Sequence, residues 1–285
     1  MFINRNRQVK DQALKNKVNK DGIEIHPASD FEGMRRAGRL AAEVLDMITD
    51  HVRVGVTTEE LNTLCHDYIV GHNAIPAPLN YKGFPKSICT SINEVVCHGI
   101  PSSDRYLKNG DIINIDVTVI LDGWYGDTSR MYIAGDAKIK PKRLIDVTYN
   151  AMMAGISAVK PRATLGDISK AIQKEAHAAG YKVVKDFCGH GLGTVFHTEP
   201  QILHYFDAKS ALIKGNPWSL VLEPGMFFTI EPMINTEEWE TKVLKDGWTA
   251  ITKGLSAQFE HSLAVTEAGV EIFTLSPKGY TKPPY

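Results

Sequence analysis

Residues 111–134 read DIINIDVTVILDGWYGDTSRMYIA, and this stretch decides the fold of the chain. Two runs rich in β-branched and aromatic residues flank Asp122-Gly123, which predicts two strands joined by a two-residue hairpin turn. With these two residues as the loop, Thr118 on the first strand faces Asp127 on the second. The turn therefore sets the register of the two strands.

Two acidic residues of this hairpin, Asp116 and Asp127, share one face of the predicted sheet. Diagonal neighbours on adjacent strands have Cα atoms about 7–8 Å apart. The first strand turns its apolar residues to the other face: Ile113, Ile115, Val117 and Val119. Two carboxylates on an inner face with no Lys or Arg opposite would repel each other and lose hydration. We favour a cation bound between them; a solvent-exposed polar face is the alternative.

The same order of elements, two helices followed by strands, occurs twice in the chain. Two pairs of segments align in order: residues 52–61 (VRVGVTTEEL) with 159–168 (VKPRATLGDI), and 107–116 (LKNGDIINID) with 222–231 (LEPGMFFTIE). The offsets are 107 and 115 residues, and each strand ends in an acid. We predict an α+β fold of two duplicated halves, about residues 26–140 and 141–276, packed around one site.

The second half supplies acids that match those of the first. Glu231 ends the strand equivalent to that of Asp116, and Glu260 lies where the partner strand of its hairpin is expected. Four carboxylates and one imidazole suit two divalent ions about 3.5–4 Å apart. His190 and His197 are both candidates for the imidazole, and the glycines beside His190 allow a close backbone approach.

The other histidines are weaker candidates for the site. His98, in VCHGIP, follows a strand and precedes a turn, where functional residues are common, but the residues alone leave its role open. The rest lack surroundings of acids and glycines, and we interpret them as surface or core residues: His26, His51, His66, His72, His177 and His204.

Local patterns predict the helices and the N-terminal segment. Ser29 and Thr57 are each followed three residues later by Glu, so both are predicted N-caps of capping boxes. Two further helices are expected at about residues 144–159 and 168–179. Residues 1–25 are basic and polar, which predicts a flexible tail.

Composition and charge exclude several classes of protein. The 285 residues include 32 Lys+Arg and 33 Asp+Glu, and this near-balance excludes an electrostatic grip of the whole protein on nucleic acid or anionic lipid. No uncharged apolar run approaches the ~18 residues that span a bilayer. The N-terminus is not typical of a secretory signal, and the four cysteines form no CxxC pair. We therefore predict a cytoplasmic protein with reduced thiols and no membrane contact.

Several motifs carry a resemblance to a known family. Seven of them, in order, closely resemble those of the type I methionine aminopeptidases: Cys97-His98-Gly99-Ile100-Pro101, Asn114-Ile115-Asp116-Val117, Gly126-Asp127-Thr128-Ser129, Gly189-His190-Gly191-Leu192-Gly193, Phe196-His197-Thr198-Glu199-Pro200, Thr229-Ile230-Glu231-Pro232-Met233 and Gln258-Phe259-Glu260-His261. The similarity runs from about residue 24 to residue 276. It implies the pita-bread fold, a pseudo-two-fold α+β domain with a dinuclear metal centre, here one catalytic domain over residues 26–285.

The resemblance also implies an activity and a set of metal ligands. The activity is removal of the N-terminal methionine from nascent proteins and peptides whose second residue is small, by attack of a metal-activated water on the first peptide bond. Asp127 and Glu260 would bridge two divalent ions, which could be cobalt, manganese, iron or zinc. Asp116 would complete the ligands of one ion, and His190 with Glu231 those of the other.

Catalytic and substrate-binding residues follow from the same resemblance. Glu231 would shuttle the proton of the attacking water, His197 would hydrogen bond the carbonyl as it becomes an oxyanion, and His98 would contact the scissile amide nitrogen. Aromatic faces and a thiol suit a flexible thioether. The methionine pocket would be lined by Tyr81, Phe84, Cys89, Phe196 and Trp248; ordinary core packing is the alternative for these five.

Some features depart from the family pattern or add to it. Pro78 stands where bacterial members often have Cys, and Phe84 where they often have Tyr, so we expect the rim of the pocket to differ. Residues 208–220 form a longer segment than the bacterial pattern. The implied partners are N-terminal methionine peptides and nascent chains; we expect a monomer with no specific nucleic-acid partner. We favour a disordered tail without a binding role; transient contact of the tail with the ribosome is the alternative.

Two other functions fit parts of the pattern. A proline-directed peptidase of the same fold, a prolidase or aminopeptidase P, usually carries an extra N-terminal domain, whereas only about 25 residues precede the first predicted helix here. A metal-free homologue acting as a binding or RNA-associated protein is disfavoured, because all the predicted ligands are intact and the net charge is −1. The chain also lacks HExxH, GxSxG and GxxxxGK[ST] motifs, which argues against three other chemistries.

Overall fold

A computed structural model describes residues 17–285 of the chain. Its helices are α1 (Phe31–Ile48), α2 (Thr58–Gly71), α3 (Ile139–Ser157) and α4 (Leu165–Ala178), with short 3₁₀ turns at Thr49–His51, Tyr81–Gly83, Ser210–Leu212 and Pro217–Ser219. The predicted pairing of two helices in each half is confirmed. Helix α3 begins five residues before the expected position, because Pro141 falls in its first turn, where proline is tolerated.

Seventeen strands are present in this part of the chain, most of them short. They are β1 (Lys17–Val18), β2 (Glu24–Ile25), β3 (Ile75–Pro76), β4 (Cys89–Ile92), β5 (Val95–Cys97), β6 (Ile112–Leu121), β7 (Trp124–Ile133), β8 (Lys182–Val183), β9 (Gly189–Gly191), β10 (Thr198–Ile202), β11 (Phe227–Ile230), β12 (Met233–Asn235), β13 (Lys242–Val243), β14 (Ala250–Ile251), β15 (Ser256–Gln258), β16 (Glu260–Thr266) and β17 (Gly269–Ile272). The fold is therefore α+β, as predicted.

The main sheet has nine strands, and the predicted hairpin lies near its centre. Its order is β10-β9-β11-β16-β7-β6-β3, with β4 also pairing β6 and β17 pairing β16. In the β6–β7 hairpin Thr118 faces Asp127, and Asp116 faces Ser129, so the predicted register is confirmed. Asp122 and Gly123, the two turn residues, both have positive φ, as this type of tight turn requires.

The two halves are related by an internal repeat that the backbone reproduces. Thr57 begins α2 and Thr164 begins α4, each through a complete capping box, as the sequence predicted for Thr57. Each of these threonines also makes an isolated antiparallel bridge, Thr57 to Tyr106 and Thr164 to Val221. The halves meet where β7 pairs with β16, so the centre of the sheet is also the junction between them.

The sheet carries an apolar face and a polar face. On β6, Ile113, Ile115, Val117 and Val119 are fully buried with residues of α1 and α2 in one hydrophobic core. A second core joins α3 and α4 to strands of the second half. The alternate residues of β6 point to the opposite face, where the site lies. Among residues 17–285, no helix combines the length and the apolar character that crossing a membrane requires.

The start of α1 differs from the prediction. The N-cap residue is Asp30, without a side-chain cap hydrogen bond, so the capping box predicted at Ser29 is wrong. The Ser29 hydroxyl donates to the Asp30 carboxylate instead, at 3.3 Å. That carboxylate in turn binds Nδ1 of the buried His26, four residues earlier in the chain, at 3.0 Å, and this contact takes the place of the predicted cap.

The N-terminal segment is partly packed onto the second half. Strands β1 and β2 form a small hairpin in which Ile23 is buried. The Asn19 amide donates to the Glu223 carboxylate at 2.8 Å, and the His26 N–H donates to the Gly225 carbonyl at 2.9 Å. Residues 17–25 thus differ from the flexible tail that we predicted, because they bury an apolar side chain; the rest of that prediction falls on residues 1–16, outside the described part.

A buried tryptophan contributes to holding the longer segment at residues 208–220. Trp218 is buried, and its indole N–H donates to the Tyr205 carbonyl at 2.8 Å. It packs against the beginning of α4 beside Gly166. None of residues 208–220 lines the cavity described next.

Candidate metal centre

The polar face of the sheet opens into a cavity of about 390 Å³. All five predicted metal ligands line it, although they come from five strands or strand ends of both halves. Their sources are β6 for Asp116, β7 for Asp127, β9 for His190, the end of β11 for Glu231 and the beginning of β16 for Glu260. The fold therefore brings together residues up to 144 positions apart, from Asp116 to Glu260.

Three of these side chains form the tightest group. Ligand atoms of Asp127, His190 and Glu260 all lie within 4.8 Å of one another. Nε2 of His190 is 3.5 Å from Oδ2 of Asp127 and 3.6 Å from Oε1 of Glu231. Oxygen and imidazole nitrogen donors at this spacing suit a divalent transition metal.

The backbone around His190 orients its ring. The His190 N–H donates to Oγ1 of Thr229 at 3.0 Å, and Nδ1 lies 3.1 Å from the Gly191 carbonyl oxygen. A carbonyl only accepts, so Nδ1 carries a hydrogen and Nε2 faces the carboxylates, as a metal ligand would. Burial lowers the pKa of His190, but the hydrogen bond to Asp127 and the charge of Glu231 outweigh it and raise the pKa to about 9.

The carboxylates crowd one another without enough positive charge. Burial and the neighbouring acids raise the pKa of Asp116 and of Glu260 well above their usual values. Burial likewise raises the pKa of Glu231 to about 7. Among the described residues that line the cavity, Lys82 is the only Lys or Arg, and it is exposed at the rim. Bound cations would remove this repulsion, so the donor set fits divalent metal ions.

Hydrogen bonds from neighbouring side chains hold two of the carboxylates. Thr118 donates to Oδ1 of Asp127 at 2.7 Å, and Thr229 donates to Oε1 of Glu231 at 2.7 Å. The Gln258 amide donates to Oε2 of Glu231 at 3.2 Å. The hairpin register placed Thr118 opposite Asp127; Thr229 and Gln258 stand in recognised motifs, but nothing in the sequence showed where they point.

The two candidate catalytic histidines, His98 and His197, both line the cavity. His197 is at the mouth, with Nδ1 3.0 Å from the Tyr81 hydroxyl and its ring centroid 4.2 Å from that of His190. Partial burial and the nearby His190 lower the pKa of His197 to about 4, so its imidazole is neutral at pH 7. His98 has a left-handed backbone, φ 56°, and its ring stands edge-on to Phe187 at 5.5 Å.

An aromatic wall completes the cavity. The five residues predicted for the methionine pocket all line it: Tyr81, Phe84, Cys89, Phe196 and Trp248. Tyr81 contacts Phe196 with ring centroids 4.8 Å apart, and Phe84 meets Trp248 edge-on at 5.2 Å. Burial raises the pKa of the Cys89 thiol well above its usual value, so this thiol is protonated and apolar.

Sequence reasoning missed several residues of the site. Phe187 and Cys188, just before the glycine-rich motif, line the cavity, as do Asp186 and Met233. His204, interpreted as a surface or core residue, is buried and accepts the backbone N–H of Glu231 at 3.2 Å. Residues 186–188 directly precede the glycine-rich motif, and this position could have indicated that they belong to the site. No feature of the sequence around His204 indicated a place in the site.

Comparison with known proteins gives consistent matches. A profile of the metallopeptidase family M24 matches residues 32–267. A methionine aminopeptidase of Rickettsia prowazekii is 64% identical over 266 residues, covering 92% of this chain and 99% of that protein, and one of Escherichia coli strain K12 is 52% identical, covering 89% and 94%.

Solved structures agree with these matches. The crystal structure of the methionine aminopeptidase from Rickettsia prowazekii superposes with a TM-score of 0.84 at 63% identity, covering 89% of this chain and all of that one. The Pyrococcus horikoshii prolidase superposes with a TM-score of 0.66 at 18% identity, covering 88% of this chain and 63% of that one, a likeness of fold alone.

Proposed function

The chain belongs to metallopeptidase family M24, and from that premise we propose that it removes the N-terminal methionine from peptides and nascent proteins whose second residue is small. The observation that carries the proposal is the union, in one cavity, of five metal-ligating side chains with a wall of aromatic rings and a thiol. Relatives that are 64% and 52% identical and are named methionine aminopeptidases support it.

We assign two divalent ions to the carboxylate and histidine cluster. Asp127 and Glu260 are proposed to bridge the ions, with Asp116 on one of them and His190 and Glu231 on the other. The crowded carboxylates and the Nε2 of His190 that faces them support this assignment. When bound, such ions lower the pKa of a water ligand and polarise a carbonyl oxygen. Oxygen and nitrogen ligation without thiolate accommodates manganese, iron, cobalt or zinc.

The chain's own residues would then position the substrate and move the proton. Glu231 takes a proton from the attacking water and returns it to the departing amine. His197, at the mouth of the cavity, donates a hydrogen bond to the carbonyl oxygen of the first peptide bond as negative charge develops there. His98, which also lines the cavity, contacts the nitrogen of the scissile amide. Thr229 and Gln258 hold the two oxygens of Glu231 in place for this transfer.

The aromatic wall is proposed to select the first residue of the substrate. Tyr81, Phe84, Cys89, Phe196 and Trp248 would enclose a methionine side chain, because a thioether makes favourable contacts with aromatic rings. A large second side chain would displace the loops that carry the histidines, and a misplacement of about 1 Å can cost roughly 100-fold in rate.

We also propose the setting in which the enzyme works. It acts as a monomer in the cytoplasm on N-terminal methionine peptides and nascent chains, with no specific nucleic-acid partner. All four cysteines lie in the described part of the chain and are unpaired, which supports a reducing compartment.

A peptide panel with matched metal analysis tests the proposed function. We expect protein loaded with cobalt or manganese to cleave Met-Ala-Ser, to leave Met-Lys-Ser and Met-Phe-Ser almost untouched, and to leave Ala-Pro-Ser intact. Exhaustive chelation is expected to abolish cleavage, and restoring the metal to recover it. Cleavage of Ala-Pro-Ser in preference to Met-Ala-Ser would identify a proline-directed peptidase instead, and full turnover without metal would contradict the assignment of the ligands.

A further inference from the structure

Tyr81 lines the cavity and also makes a hydrogen bond to His197. The Tyr81 hydroxyl lies 3.0 Å from Nδ1 of His197, and the two rings stack with centroids 5.3 Å apart at 25°. This is the only hydrogen bond that the Tyr81 hydroxyl makes with any residue in 17–285. Both side chains border the cavity that holds the carboxylates.

A neutral imidazole carries a hydrogen on only one of its two nitrogens, so two arrangements are available. If Tyr81 donates to Nδ1, the hydrogen of His197 is on Nε2 and is available for a substrate oxygen. If Nδ1 donates to Tyr81, Nε2 becomes an acceptor and the phenolic hydrogen has no protein partner. The first arrangement uses the phenolic hydrogen and leaves His197 as a donor, which a developing oxyanion requires.

We propose that Tyr81 is a positioning residue that fixes His197 in the tautomer with its hydrogen on Nε2. The proposal rests on the proposed function, because it assigns His197 the role of donor to the substrate carbonyl. Tyr81 then acts through a hydroxyl as well as through its ring, and loss of the hydroxyl alone changes catalysis without altering the aromatic wall.

The chain offers a matched control for this hydroxyl. Tyr125 stacks on Phe196 with ring centroids 5.4 Å apart, and Tyr81 contacts the same Phe196 at 4.8 Å. In the described part of the chain the Tyr125 hydroxyl makes no hydrogen bond, and Tyr125 does not border the cavity. Replacing either tyrosine by phenylalanine therefore removes one hydroxyl from a ring that contacts Phe196. Only the change at Tyr81 also breaks a hydrogen bond, the one to His197.

The tautomer is measured directly by nitrogen NMR, independently of activity. Protein labelled with ¹⁵N in the histidine rings is loaded with zinc, and His197 is assigned from the signals that vanish in His197→Ala. We expect hydrogen on Nε2 in the wild type and in Tyr125→Phe, and shifts averaged toward Nδ1 in Tyr81→Phe. Hydrogen on Nδ1 in the wild type, or a tautomer that Tyr81→Phe leaves unchanged, would overturn the proposal.

Kinetics on Met-Ala-Ser give the second measurement. Losing one hydrogen bond of this kind predicts a fall in kcat of about fivefold to tenfold for Tyr81→Phe, with KM and metal content within about twofold of wild type. Tyr125→Phe is expected to keep both constants. In the His197→Ala background Tyr81→Phe should have no further effect, because its partner is gone. If Tyr81→Phe lowered kcat by the same factor in that background, the proposal would be overturned. If the wild type did not cleave methionine peptides, the proposed function would be contradicted, and the NMR result alone would decide the tautomer.

Discussion

Thr118 offers the sharpest test of the metal centre, because it touches a proposed ligand without being one. Its hydroxyl donates to Oδ1 of Asp127 at 2.7 Å, and the side chain is buried with 2% of its surface exposed. Thr118→Val keeps the size and β-branching of the side chain and removes only this donor. The substitution therefore alters the orientation and charge stabilisation of one carboxylate while leaving every ligand in the chain.

The size of the effect follows from the kind of hydrogen bond that is lost. A buried hydrogen bond to a charged group contributes about 1.5–3 kcal/mol. Side chains that orient metal ligands in this way typically change metal affinity or activity by roughly 10–100-fold when they are replaced. We expect the dissociation constant for zinc to rise by about that factor in Thr118→Val, with a matching fall in activity at limiting metal.

Thr148 supplies a matched control for this measurement. It is also a fully buried threonine, but its hydroxyl donates to the Leu144 carbonyl within α3 at 2.8 Å, and it does not line the cavity. Calorimetric titration of Thr118→Val and Thr148→Val with zinc, in competition with a chelator, compares their zinc affinities directly. Thermal melts of the metal-free proteins check that both are folded. Equal zinc affinities for wild type and Thr118→Val would refute the reasoning.

Three further predictions follow from the same geometry. Asp127→Ala should lose more metal and activity than Asp116→Asn, because the carboxylate that we propose as the bridge would serve both ions. Elemental analysis with kinetics on Met-Ala-Ser checks this, and the reverse order would exclude the bridging role. His197→Ala should lower kcat by about 10²–10³, equivalent to about 2.7–4 kcal/mol, with its metal content unchanged, because it would remove the proposed donor to the oxyanion and not a proposed ligand. Loss of metal in this variant would contradict that role. Asp46→Ala should lower the free energy of unfolding by about 3–5 kcal/mol in a denaturant titration, because it leaves the buried guanidinium of Arg130 unpaired. Glu271→Ala, which breaks the exposed ion pair with Arg35, should cost no more than about 1 kcal/mol in the same titration.

Features set by short-range patterns were predictable from the sequence. The β6–β7 register depends on a two-residue turn and on alternation along the strands, so it could be derived from residues 111–134. The capping box at Thr57 depends on two side chains three residues apart. The same local argument failed at Ser29, because the Asp30 carboxylate is held by His26, and a contact of that kind depends on how the ring of His26 is packed.

The candidate site was predictable as a set of residues and much less as a set of contacts. The alignment of the halves and the family motifs identified Glu231, but neither showed that His204 accepts its backbone N–H. His204 precedes Glu231 by 27 residues and lies outside every motif, so only the folded chain brings the two together. The same holds for the hydroxyl of Tyr81, whose partner His197 is 116 residues away.

With metal bound as proposed, the junction of the two halves at β7 and β16 would couple the supply of metal to the lifetime of the protein. An ion held by Asp127 and Glu260 would cross-link residues 133 positions apart, one from each half. A ligand that binds only the folded state stabilises it by mass action, by about 2.7 kcal/mol at a concentration 100 times its dissociation constant. Cellular proteases act on the opened chain, and its population would rise roughly 100-fold when that stabilisation is lost. The amount of enzyme in a cell is therefore expected to fall together with its metal content when metal becomes scarce.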